Sequence, residues 1–261
     1  MALRVRRMNA QGIAVYAHDQ LGHGFSEGHR FYIPNGKWSV NRDDLVAFCR
    51  LAASEHDGGT PLFVSGDSYG GCLALHATLV FQEQPDLAPK GFRGCTLNCP
   101  AIHGDFPPTP VVWLLRYGLA PFFPTRTPFF MPNPITGERV WKEDEARAFF
   151  TDRDEMKGLS QGGAPFCLGT AVGLVGAMQA VQALIPTMRM PFHVAHGTDD
   201  YGVPLSGSEL LMKESQTVSA DKVLNAVRGG YHGLLSQLDA EDTMNQEIEW
   251  IQSMIQRRQQ E

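Results

Sequence analysis

The sequence predicts an α/β protein: a mostly parallel sheet flanked by helices, with a helical insertion over one end. Three observations carry this. Short apolar runs alternate with segments of helical pattern along most of the chain. One of these alternations is a strand, a tight Gly-rich turn and a helix centred on Gly66-Asp67-Ser68-Tyr69-Gly70-Gly71. The rhythm breaks between Ala101 and Pro186, where Pro and Phe accumulate.

The elements follow in order. Met1–Ala10 reads as a helix, and Ile13-Ala14-Val15-Tyr16-Ala17 as a strand. Arg42–Ala53 reads as a helix, with Leu45, Val46, Phe48, Cys49 and Ala52 close to one face. Leu62–Ser65 is an apolar strand leading into the turn, and Cys72–Ala77 a helix of small residues leaving it. Gly94–Asn98, Pro191–His196 and Lys222–Val227 are further strands, and Asn245–Arg257 a closing amphipathic helix. Near-continuous apolar strands separated by helices are the pattern of a parallel sheet covered on both faces. The stretch 101–186 carries Trp113, Phe122, Phe123, Phe129 and Phe130 among its prolines. We expect it to be a cap over the C-terminal edge of a single domain spanning 1–261.

The 261 residues suffice for one large α/β domain. A hydrophobic content of 43% with 19% charged residues is that of a water-soluble globular chain. The net charge of −6 argues against nucleic acid as a partner, because no basic stripe is present to neutralise phosphates. Cys49, Cys72, Cys95, Cys99 and Cys167 are scattered, odd in number and without a C-x-x-C pair. Reduced thiols in a cytoplasmic setting are expected. Arg4, Arg6 and Arg7 lack the apolar core of a secretory signal behind them. Phe166–Ile185 is apolar enough to be weighed as a membrane span. Gln179, Gln182 and Pro186 favour a buried helix, whose Gly169, Gly173 and Ala177 allow close packing.

Gly66-Asp67-Ser68-Tyr69-Gly70 is a G-x-S-x-G between strand and helix. That context makes it a nucleophile elbow. The sharp turn lifts the Ser68 hydroxyl out of the sheet and aims the Tyr69 backbone N–H at the oxyanion of acyl transfer. A serine nucleophile needs a base, and the base an orienting carboxylate. Gly229-Gly230-Tyr231-His232-Gly233 follows the last strand, so His232 is the expected base. His196-Gly197-Thr198-Asp199-Asp200 follows the strand before it. Asp199 and Asp200 both stand as candidates for the acid, with Asp105 and Asp239 as remote alternatives. His18, His23, His193 and His196 are expected to be structural. No metal or organic cofactor is implied.

Together these residues resemble the monoacylglycerol lipase branch of the α/β-hydrolases, also called serine-aminopeptidase-like or lysophospholipase-like hydrolases. Asp19-Gln20-Leu21-Gly22-His23-Gly24-Phe25-Ser26-Glu27-Gly28 is similar to the family's D-x-x-G-H-G-x-S-E-G block. The elbow is similar to its G-x-S-x-G-G, and Tyr231-His232 to its Y-H. His196 to Asp200 followed by Val203-Pro204 is similar to its H-G-x-x-D-x-x-x-P loop, and that register selects Asp200 as the acid. The resemblance implies ester hydrolysis through an acyl-enzyme, with monoacylglycerol or a related lipid monoester as substrate. Transient contact with membrane surfaces through the apolar cap is also expected. A short-chain carboxylesterase or lysophospholipase on the same residues is an alternative, and so is a non-catalytic binding protein.

Two departures matter. Asp67 stands where relatives carry His or Glu. Its carboxylate is expected either to oppose oxyanion formation or to be held harmlessly by backbone N–H groups. The resemblance also implies three strands before the first helix, one of them carrying an H-G-x-G loop with the second oxyanion donor. Met1–Ala10 already matches that helix. The expectation is therefore a truncated piece of a longer hydrolase, with a gap in its sheet. Each buried unpaired backbone group there would cost roughly 1–3 kcal/mol, and a lost oxyanion donor roughly 10²–10³ in rate.

Overall fold

The computed structural model describes residues 2–33, 36–131, 136–151, 165–237 and 240–257. Among them, four parallel strands form one sheet in the order β1-β2-β3-β4: β1 Leu62–Asp67, β2 Phe92–Asn98, β3 Phe192–Gly197 and β4 Lys222–Val227. Parallel neighbours need crossovers, and helices supply them. Helix α1 is Ala2–Ala10 and α2 is Ser39–Ser54. Helix α3, Tyr69–Glu83, links β1 to β2.

Short helices α4 Thr109–Trp113, α5 Gly137–Val140 and α6 Asp144–Thr151, with a π-helical turn Leu114–Leu119, occupy the insertion between β2 and β3. Helix α7, Leu168–Leu184, returns the chain to β3. Helix α8, Ser206–Glu214, links β3 to β4, and α9, Ala240–Arg257, closes the fold.

The strands pack into one core because they are apolar on both faces. Cys95 and Leu97 of β2 and Phe192 and Val194 of β3 are fully buried against Cys72, Leu75 and Ala77 of α3. Helix α3 is buried nearly all round, which its run of small and apolar residues permits. Helix α7 meets the length and composition of a membrane span. Its Ala177 and Val181, with the following Ile185, are nevertheless fully buried in the same core. The Ala177 carbonyl accepts a hydrogen bond from His76 Nε2 at 3.0 Å.

The structure corrects one expected element. Ile13–Ala17 is not a strand. It runs without ladder hydrogen bonds beside α2 and the loop after it: the neighbouring His18 contacts Phe48 of α2, and the Tyr16 hydroxyl meets His56 Nε2 just past its end at 2.9 Å. A strand exists only against a neighbour, and none lies beside this segment among the described residues. Between it and the open edge of β1 is a cleft of about 680 Å³, lined by Ile13, Val15, Phe63, Ser65 and Leu73. Among the described residues the expected gap is present, and β1 is an edge strand.

Candidate active site

The elbow is built as its sequence requires. Ser68 has φ 55° and ψ −120°, a conformation that costs a non-glycine residue roughly 1–3 kcal/mol. Its backbone is pinned on both sides. The N–H donates to the Asn98 carbonyl at 2.9 Å, and the carbonyl accepts from Ala101 at 2.9 Å and Cys72 at 3.1 Å. A Cβ at position 66 would strike the Gly70 carbonyl, so the turn needs glycine there. Tyr69 is the first residue of α3, so its N–H has no carbonyl within the helix to bond. The Tyr69 ring points away into the core, where its hydroxyl accepts a hydrogen bond from Asn41 Nδ2 at 3.2 Å.

Asp200 and His232 meet directly. His232 Nδ1 lies 2.7 Å from Asp200 Oδ2, with the Asp200 side chain fully buried. Asp200 Oδ1 accepts the N–H groups of Gly202 and Val203, each at 2.8 Å. Burial works to raise the Asp200 carboxyl. Hydrogen bonds from His196 and His232, the charge of His232 and the Val203 N–H outweigh it and hold the group well below the usual carboxylate range.

The two loops are stitched together. Asp199 N–H donates to the Gly230 carbonyl at 3.0 Å, and Gly229 N–H to Thr198 Oγ1 at 2.9 Å. A Cβ on Gly197 would collide with that Gly230 carbonyl. The insertion holds the second loop from its other side. Gly233 N–H donates to the Val140 carbonyl at 2.7 Å, and Lys142 Nζ to the Gly229 carbonyl at 3.2 Å.

Ser68, Asp200 and His232 follow β1, β3 and β4 at one edge of the sheet. Ligands bind at this carboxyl edge in open α/β sheets. No hydrogen bond joins Ser68 Oγ to His232 among the described residues. Such contacts often tighten only when substrate is bound. Asp199 is exposed and bonds only Thr198, at 3.0 Å, through its side chain. Asp105 is exposed on the insertion, and Asp239 lies outside the described residues.

Asp67 is held, but by side chains and not by the backbone N–H groups expected for it. Asn98 Nδ2 donates to its Oδ1 at 3.0 Å, and Arg4 Nη1 lies 3.5 Å away. Arg4 is buried by α1 against Glu247 of α9, with which it forms a close ion pair, and it also donates to Ser65 Oγ at 2.6 Å. Cys99, His196 and Asp200 bring potential ligand atoms within 4.8 Å of one another. Both nitrogens of His196 are already bonded, to Ser208 Oγ at 2.7 Å and the Val203 carbonyl at 3.0 Å, so the cluster does not suit a metal ion.

A strained serine between β1 and α3, with a buried carboxylate–imidazole pair on the next loops of the same edge, is a hydrolase arrangement. The family described as serine aminopeptidase, S33, matches residues 2–239. The chain belongs to this family. Caffeoylshikimate esterase of Arabidopsis thaliana is 30% identical over 250 residues, 94% of this chain and 70% of that protein. Monoglyceride lipase of Mus musculus is 28% identical over 227 residues, 86% of this chain and 67% of that protein. The crystal structure of Paleococcus ferrophilus monoacylglycerol lipase superposes with a TM-score of 0.76 at 20% identity. It covers 97% of this chain and 88% of that one. A soluble variant of monoglyceride lipase from Saccharomyces cerevisiae gives 0.73 at 19% identity, over 97% and 82% of the two chains. The fold is that of the α/β-hydrolases.

Sequence reasoning missed three parts of this serine-aminopeptidase-like site. Arg4 as the partner of Asp67 is separated from it by 63 positions, with no local sign of the contact. Val140 and Lys142 sit in an insertion whose docking a sequence does not reveal. His196 opens the acid motif, and its polarity within a fully buried strand was a usable signal.

Proposed function

We propose that this chain hydrolyses carboxylic esters, most of all monoacylglycerols or related lipid monoesters, through an acyl-enzyme. The observation that carries this is the 2.7 Å bond between His232 Nδ1 and the buried Asp200 carboxylate, on the sheet edge that holds the strained Ser68. Ser68 Oγ bonds to the ester carbonyl carbon and passes its proton to His232 Nε2. The bond to the alcohol then breaks, and His232 protonates the departing oxygen. Water, deprotonated by His232, releases the acid and restores Ser68. Asp200 fixes the imidazole with its proton on Nδ1 and stabilises the cation. The Tyr69 N–H donates to the oxyanion.

The lipid preference draws support from the monoglyceride lipase relatives and from the insertion. Trp113, Tyr117, Phe122, Phe123, Phe129 and Phe130 are all more than half exposed there. Such a surface suits transient contact with a lipid layer. The five free thiols suit a cytoplasmic setting.

A second ester class is favoured by one finding, the 30% identity to a caffeoylshikimate esterase. The test is a fluorophosphonate probe followed by a substrate panel of monooleoylglycerol, a caffeoyl ester and short-chain p-nitrophenyl esters. Labelling lost in Ser68→Ala with preference for monooleoylglycerol supports the lipid reading. Preference for the caffeoyl or acetyl ester replaces the substrate class. Absence of labelling in the folded wild type supports a non-catalytic binding protein.

A further inference from the structure

We propose that His196 is a positioning residue: its Nε2–H holds the loop after β3 so that Asp200 Oδ2 faces His232. The inference rests on the roles proposed above for Asp200 and His232. His196 is fully buried on β3. Its Nε2 lies 3.0 Å from the Val203 carbonyl, which can only accept, so Nε2 carries the proton. Nδ1 is then the acceptor for the Ser208 hydroxyl at 2.7 Å, from a serine itself fully buried on α8. One tautomer satisfies both partners.

The same Nε2–H lies 3.4 Å from Asp200 Oδ2, the oxygen bonded to His232. Val203 is consequently held at both ends of its backbone, with its N–H on Asp200 Oδ1 and its carbonyl on His196. The imidazole is a strut shared by β3, α8 and the acid loop. A packing role would need only the volume of a ring. These bonds need a donor on one side and an acceptor on the other. Besides His196, the titratable groups facing Asp200 are His232 and Cys99, and the Asp67 charge acts on Cys99 from the β1 side.

The test uses the full chain with His196→Leu and His196→Gln. Leucine removes the donor, and glutamine keeps an amide N–H. Expected for His196→Leu is a fall in kcat of about tenfold with KM nearly unchanged, the scale of one hydrogen bond lost in the transition state. Without the Nε2–H dipole 3.4 Å from Asp200 Oδ2, the carboxylate holds the His232 proton more firmly, so the acid limb of the kcat/KM profile moves to higher pH. His196→Gln restores both rate and limb. A wild-type rate and profile in His196→Leu overturn the proposal, as does a His196→Gln that behaves like the leucine variant.

Nitrogen NMR on the ¹⁵N-histidine-labelled wild type keeps the test independent of folding in the variants and of turnover. It is expected to show His196 protonated on Nε2 and bare on Nδ1. A proton on Nδ1 overturns the proposal even if the protein hydrolyses esters. If the wild type hydrolyses nothing, the proposed activity fails, while the His196 tautomer still decides this assignment.

Discussion

Arg4 Nη1 lies 3.5 Å from Asp67 Oδ1, which places a guanidinium beside the carboxylate that precedes Ser68. The Arg4 side chain is buried between β1 and α9, where Glu247 is its main counter-charge. Asp67 therefore stands in a local charge balance rather than alone beside the elbow.

Replacing Arg4 with Met leaves Glu247 buried and unpaired. Breaking one side of a buried ion pair typically costs about 3–5 kcal/mol. Urea unfolding should show a loss of that size, and Glu247→Gln in the Arg4→Met background should recover part of it. A double variant no more stable than Arg4→Met would sink this account of the pair.

Ser68→Gly should separate strain from function. Glycine tolerates φ 55° and ψ −120°, so thermal unfolding should rise by the equivalent of about 1 kcal/mol. Fluorophosphonate labelling should vanish in the same protein. A melting temperature equal to or below that of wild type would show that the elbow holds little strain.

His76 gives an acid-sensitive term. It stacks on Trp38 at 4.2 Å, and burial pushes its imidazole down to about 4. The folded value lies below that of an unfolded histidine, about 6.5. Its contribution to stability is thus complete above about pH 6.5 and is lost as pH falls towards about 4. The slope is at most about 1.4 kcal/mol per pH unit. Chemical denaturation of His76→Gln should show a flatter profile across that window, and an unchanged slope would remove His76 as the cause.

Asp200 has the same sign for a different reason. Its carboxyl is held below the usual range, so its charged form stabilises the fold above about pH 4. That contribution is lost as pH falls through the folded value. The stability gap between wild type and Asp200→Asn should be constant from neutral pH to about pH 4 and should narrow below it. A gap that persists unchanged at lower pH contradicts the assignment.

Amide exchange can read the sheet edge. Among the described residues, the backbone groups of β1 that face the cleft have no ladder partner, while those facing β2 do. Protection along Leu62–Asp67 should alternate, in contrast to the uniform protection expected over Cys95–Leu97. Uniform protection of β1 would mean that its outer edge is covered in solution.

What could be read from sequence was whatever rests on local pattern. The four strands were visible as apolar runs at Leu62–Ser65, Gly94–Asn98, Pro191–His196 and Lys222–Val227, within two residues of their observed ends. The loops bearing Ser68, Asp200 and His232 were visible because tight turns at strand ends demand glycine. Ile13–Ala17 misled because strand propensity describes a fit to neighbours, and here the neighbour is missing from the described residues. The partner of Asp67 and the bonding of His196 were harder to read. Arg4 is brought to Asp67 by the fold from 63 positions away, while the bonds of His196 to Val203 and Ser208 depend on how one short loop and α8 turn back on β3.

The Val140 and Lys142 contacts carry a mechanical consequence. The insertion grips the loop of His232 through the Gly233 N–H and the Gly229 carbonyl. Displacing the insertion would cost both bonds and loosen the backbone that carries His232. The insertion and the Gly229–Gly233 turn are thereby one mechanical unit.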